Sequence, residues 1–110
     1  MKISIQDHTV VISQLPHEAS ELTAALVAQQ NQWADGNVII DASGCVLSPM
    51  DLFEAISAIS ANHKSMAKSF VLVDTVPRLK EYPEELSAAP TLEEAFDLIE
   101  MEEIERDLGF

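Results

Sequence analysis

The chain of 110 residues has one cysteine, three glycines, one tryptophan, one tyrosine and only six Lys or Arg residues. Its single thiol, Cys45, excludes an intramolecular disulfide and any multi-cysteine zinc site, and it fits a reducing compartment. Three glycines leave little material for cradling phosphates. Neither a Walker-type loop nor a G-x-G-x-x-G run occurs, which disfavours nucleotide binding. No stretch approaches the roughly 18 apolar residues that a spanning helix needs. Met1-Lys2-Ile3-Ser4-Ile5 alternates polar and apolar residues and lacks the apolar region of an export signal, so the cytoplasm is the expected location. Six basic residues against 19 acidic ones give a net charge of −13. That charge repels phosphate backbones and anionic lipid, and it argues against nucleic-acid and membrane-surface partners.

A chain that is 47% hydrophobic and 23% charged is expected to form one domain over residues 1–110 with one continuous core. The acid is unevenly placed. Eight acidic and five basic residues lie up to Lys80, whereas eleven acidic residues and Arg106 alone lie from Glu81 on. Two readings stand: a solvated helix face that keeps the domain soluble, or a docking surface for a cationic partner.

Ile3 and Ile5 fall on one face of an extended segment, and Thr9-Val10-Val11-Ile12 is β-branched, so the first residues are predicted to form a hairpin. From Glu18 to about Trp33, Leu22, Ala25, Leu26 and Trp33 recur at helical spacing and predict a first helix. Asp35-Gly36-Asn37 reads as its left-handed stop. Val38-Ile39-Ile40 follows without alternation, as a strand covered on both faces does. Ser48-Pro49-Met50-Asp51 has the grammar of a helix start: a capping hydroxyl, a first-turn proline and an acid at the third position. The second helix is predicted to bury Leu52, Ala55, Ile56, Ile59 and His63. Its other side, with Ser57, Ala58, Ala61 and Ser65, is too small and too weakly polar for an ordinary charged exterior. Phe70-Val71-Leu72-Val73 is a second apolar run, and strand, helix, strand at this length predicts parallel pairing through a right-handed crossover.

Residues 74–86, with Pro77 and Pro83, read as a surface excursion holding at most a short helical turn. Ser87-Ala88-Ala89 suits an edge strand, and Thr91-Leu92-Glu93-Glu94 writes a capping box for the last helix. There Leu92, Ala95, Phe96 and Ile99 are expected to be buried. Beyond Glu100 the apolar positions move to Met101, Ile104 and Leu108, with Glu102 and Arg106 spaced for an ion pair, so the helix either bends or hands over to a second segment. The expected class is α/β: a mixed, partly parallel sheet with an N-terminal hairpin, backed by about four helices.

Val38-Ile39-Ile40-Asp41-Ala42-Ser43-Gly44 is an apolar strand ending in Asp, followed by a small-residue loop and a helix. Together with Phe70-Val71-Leu72-Val73 and Pro90-Thr91-Leu92-Glu93-Glu94-Ala95, in this order and at these separations, it resembles the STAS family of bacterial anti-sigma-factor antagonists. The resemblance covers most of the chain. It implies a protein-interaction module with an anti-sigma factor or a kinase-like regulator as partner, controlled by phosphorylation of a Ser or Thr where the second helix begins. The chain departs from that family at this point: Leu47-Ser48-Pro49-Met50-Asp51 lacks both the preceding Asp and the glycine of an Asp-Ser-Ser-Gly-like start. Ser48 is therefore either the phosphoacceptor, reached by a small shift of register, or a plain helix cap, and Asp51 either a fixed negative charge or the capping acid.

Catalysis has less support. Cys45 sits beside Ser43 and Gly44, but with Val46 and Leu47 it reads as a small buried hydrophobe, and His8, His17 and His63 look unconnected to it. Glu100, Glu102, Glu103 and Glu105 scatter around a helix instead of converging on a metal ion. The expected protein is thus not an enzyme and carries no cofactor. Ser43, Gly44, Ser48, Pro49, Met50 and Asp51 are expected to shape a docking loop, and Ser57, Ala58 and Ala61 to allow close approach of a protein partner. The rival expectation is an accessory or stability subunit whose acidic C-terminal helix binds a basic enzyme or assembly.

Overall fold

The computed structural model describes residues 1–109. Strand β1 (Lys2–Gln6) turns through Asp7 and His8, both at positive φ, into β2 (Thr9–Ser13), with Gln6 opposite Thr9. Two consecutive left-handed residues are what a two-residue hairpin needs to match the strand twist. The chain continues through α1 (Ala19–Ala28), α2 (Gln30–Trp33), β3 (Asn37–Asp41), α3 (Pro49–Ser65), β4 (Phe70–Val73), α4 (Val76–Leu79), β5 (Ser87–Ala89) and α5 (Leu92–Asp107). The five strands lie in sequence order, β1 antiparallel to β2 and the rest parallel. This is the predicted mixed α/β sheet with an N-terminal hairpin; of the five helices among the described residues, α2 and α4 are single turns.

Strand order explains the layers. From β2 to β3 to β4 each crossover advances the sheet in the same direction, so crossovers of one hand put their helices on one face. Val10, Ile12, Val38, Ile40, Phe70 and Leu72 point to that face and pack with Leu22, Leu26, Trp33, Leu52 and Ile56. The alternate residues Val11, Ile39, Val71 and Val73 point the other way and meet Ala95 and Ile99 of α5. Val38, Ile39 and Ile40 are wholly inaccessible, as expected of a central strand covered twice.

Four expectations are corrected. The first helix breaks at Gln29, and across the break the Trp33 indole N–H donates to the Leu26 carbonyl (2.9 Å) with the ring in the core. Gly36 is not left-handed. A Cβ there would lie 2.9 Å from the backbone oxygen of His8, so the glycine serves the close approach of the hairpin turn. The last helix neither bends nor hands over: α5 runs unbroken, with Leu92 partly exposed and Met101, Ile104 and Leu108 on its outer side. Glu102 and Arg106 do not pair directly. Both meet the Ser69 hydroxyl, which donates to Glu102 Oε1 (2.5 Å) and accepts from Arg106 Nη1 (3.2 Å). Among the described residues no helix is long and apolar enough to cross a membrane.

Candidate functional site

The predicted docking residues lie on the loop after the carboxyl end of β3 and along α3. After β3, Asp41 Oδ1 accepts from the Ser43 N–H (3.0 Å), the Cys45 N–H donates to the Ala42 carbonyl (2.9 Å), and Gly44 takes φ +74°, a left-handed value that suits a residue without Cβ. Leu47 anchors the end of the loop in the core. Val46 points outward at 67% exposure and Cys45 is only half-buried, so the expected apolar run through Cys45, Val46 and Leu47 is divided by the loop's course. Ser48 then caps α3: its Oγ accepts from the Asp51 N–H at 3.1 Å, Pro49 occupies the first turn, and the Asp51 carboxylate sits where the exposed amides favour negative charge. Ser48 and Met50 are exposed.

A cluster that sequence reasoning missed holds this turn in place. Asp74, directly after β4, is 1% exposed, and its carboxylate accepts three hydrogen bonds. Its Oδ1 accepts from the Thr75 N–H (2.7 Å), and its Oδ2 accepts from Tyr82 Oη (2.6 Å) and Arg78 Nε (2.8 Å) as partner in an ion pair. Arg78 Nη2 continues to the Leu47 carbonyl (2.6 Å), one residue before the α3 cap. The Asp74 carboxylate thus raises the Arg78 guanidinium further above its usual range. Burial, and then the same carboxylate, push the Tyr82 phenol well up. Residues 74–86 are the expected surface excursion with a single helical turn, and within it Asp74, Arg78 and Tyr82 add a polar tie between the β4 and β3 loops. The only hint in the sequence is Asp74, Arg78 and Tyr82 spaced by four directly after an apolar strand.

The predicted docking residues separate into two patches. Ser43 and Gly44 line a crevice of about 530 Å³ on the β2 side, shared with Gln14, His17, Asp41 and Cys45. Ser57, Ala58 and Ala61 line a groove of about 560 Å³ on the β5 side, floored by Phe53 and Ser60 and walled by Leu86. Lys64 Nζ closes the far end of that groove by donating to the Glu85 carbonyl (2.6 Å). Met50, Phe53, Ser57 and Ala61 follow one another at three- and four-residue steps, so the exposed Met50 side chain stands in line with the groove at its near end. Phe53, Ser60, Lys64, Glu85 and Leu86 line the groove without having been named by the small-residue pattern.

The imidazoles are dispersed. His17 shares the crevice with Cys45, whereas His8 sits in the hairpin turn and His63 is buried at the other end of the sheet, between Trp33 and Phe70 at ring separations of 5.7 and 5.9 Å. His63 Nε2 donates to the Gly36 carbonyl (2.7 Å), and burial lowers its pKa against the raising effect of that bond. Among the described residues no group of three or more His, Cys, Asp or Glu is placed to hold a metal ion. No family model matches the chain, and no curated protein matches it.

Proposed function

We propose that this chain is a non-catalytic, cytoplasmic regulatory module that docks a protein partner through the start of α3 and the small-residue groove beside it. One observation carries the reading: Met50, at 61% exposure, stands in line with a groove whose walls are Phe53, Ser57, Ala58, Ala61 and Leu86, on a protein of net charge −13. A flexible thioether beside a largely apolar groove, with Lys64 and Glu85 only at its far end, suits contact with an apolar protein surface. The residues that resemble the STAS family support the same reading, and with it an anti-sigma factor or a kinase-like regulator as the class of partner. Ser48, exposed at the cap, is the candidate phosphoacceptor within this proposal. An interface of ordinary size there buries roughly 1,600 Å² in total.

The test compares capture from native cytoplasm by the wild-type chain, Met50→Arg and Ala61→Arg. Both substituted positions are exposed, so the variants are expected to fold. A protein retained by the wild type and lost by both variants supports the docking surface, and undiminished capture by both refutes it. Phosphate on Ser48, read by mass spectrometry of the native protein, separates the switch from the plain cap. A second reading, favoured by the exposed Met101, Ile104 and Leu108 among the carboxylates of α5, is an accessory subunit that holds a basic partner by this helix. Raised salt weakens that contact and spares the groove.

A further inference from the structure

The orientation of α5 is settled by what its inner side touches. Ala95 and Ile99 are buried against the sheet, Glu102 accepts from Ser69 Oγ, Arg106 donates to it, and Glu103 Oε1 accepts from Asn37 Nδ2 at 2.6 Å. At 100° per residue these contacts turn Met101, Ile104 and Leu108 away from the body, and they are 59, 51 and 65% exposed. Half-exposed large apolar side chains in a row, three and then four residues apart, form the spacing of a coiled-coil seam, with Met101 and Leu108 at one core position and Ile104 at the other. Glu105 flanks the seam on one side, and Glu100 and Asp107 on the other; all three are exposed.

The flanks decide the occupant. Two copies of α5 packed seam to seam would bring these carboxylates together, in either chain direction, whereas a helix with cations in the flanking positions pairs with all of them. We infer that the outer face of α5 docks an amphipathic helix of a partner protein, with an apolar seam flanked by Lys or Arg. The inference rests on the second reading above and gives it a register and a chemistry. Three seam residues over two turns place the contact at the small, transient end of interface sizes, and the ready-folded α5 lowers the ordering cost on this side.

The probe is a synthetic peptide of about three heptads with Leu and Ile in the seam and Lys in the flanks, titrated into the full chain by fluorescence anisotropy. A control peptide has the same composition in scrambled order. The ordered peptide is expected to bind about tenfold more tightly than the scrambled one, and Ile104→Ser to weaken it by about tenfold. Ile104 is half exposed, so the variant is expected to keep the wild-type melting curve. Met50→Arg is expected to leave the titration unchanged. Equal binding of the two peptides, or no effect of Ile104→Ser, overturns the seam and leaves charge as the whole attraction. Failure of both peptides overturns the seam and the second reading together. Sedimentation of the wild type as a dimer that Ile104→Ser dissociates overturns the choice of occupant.

Discussion

Arg78→Ala tests whether the buried tie between the β3 and β4 loops stabilises the fold. The substitution removes two bonds of the guanidinium, Nε to Asp74 Oδ2 at 2.8 Å and Nη2 to the Leu47 carbonyl at 2.6 Å. It leaves the Asp74 carboxylate buried with only the Thr75 amide and the Tyr82 hydroxyl as donors. A hydrogen bond to a charged group contributes about 1.5–3 kcal/mol, and a broken buried ion pair about 3–5. The Arg78 side chain is 27% exposed, so water replaces part of what is lost, and about 2–3 kcal/mol is the expected net effect. With a urea slope near 2 kcal/mol per molar, the unfolding midpoint falls by about 1–1.5 M, and Tm falls by about 8–12 °C.

Urea unfolding followed by far-UV circular dichroism reads the stability, and amide exchange at Ser48 and Asp51 reads the loop. Exchange at both positions is expected to quicken in Arg78→Ala by more than the global loss alone explains, because Leu47 has been released locally. Asp74→Asn in the same background is expected to recover part of the loss by removing the stranded charge. A midpoint shift under about 0.25 M, with no recovery in the double variant, would refute the reasoning, since the carboxylate would then be solvated without its guanidinium.

Two further perturbations probe the other end of the sheet. The folded pKa of His63 lies below its unfolded value near 6.5, so between the two the unfolded chain holds a proton that the folded one does not. Its contribution is complete above about pH 6.5 and is lost as pH falls through the folded value, with a limiting slope of about 1.4 kcal/mol per pH unit. Urea midpoints between pH 8 and 5 are expected to show this slope in the wild type and not in His63→Gln; an equal slope in both would assign it elsewhere. Gly36→Ala drives a Cβ to 2.9 Å from the His8 carbonyl oxygen and is expected to cost about 1–3 kcal/mol. Gly44→Ala meets open space and loses only about 1 kcal/mol to its left-handed φ. Thermal melts that reverse this order would contradict the close-approach account of Gly36.

What the sequence made legible is what local chemistry decides. Val38-Ile39-Ile40 and Phe70-Val71-Leu72-Val73 are apolar without alternation because both faces are covered, and the Ser48 and Thr91 caps are written within four residues of chain. What it hid depends on residues far along the chain. Asp74, Arg78 and Tyr82 look like a polar surface run until Leu47 arrives 31 residues from Arg78 to accept its second bond. Gly36 reads as a helix stop because the oxygen that requires a glycine belongs to His8. Periodicity also failed to separate the inner stripe of α5 from its outer one, since Ile99 and Ile104 differ only in which of them the sheet reaches. In the candidate site, the small face of α3 was readable from spacing alone. The opposing wall at Leu86 comes from a loop whose path the prolines left open.

The two surfaces lie on opposite faces of the sheet, and that separation makes them electrically distinct. The molecule measures 22 Å across its shortest dimension, whereas charges are screened over about 8 Å at physiological ionic strength. The carboxylates of α5 therefore contribute little at the α3 groove, although one chain carries both. A cation approaching α5 feels the flanking acids within one screening length, so its capture rate falls steeply as salt is added. A partner docked at Met50 and Ala61, as proposed, would be held by desolvated apolar contact, which added salt does not weaken. Since α3 and α5 share no side of the sheet, an occupant of one leaves the other open. A salt series on a single complex thus reports which face it uses, and a complex that loses only part of its affinity at high salt would be one that grips both.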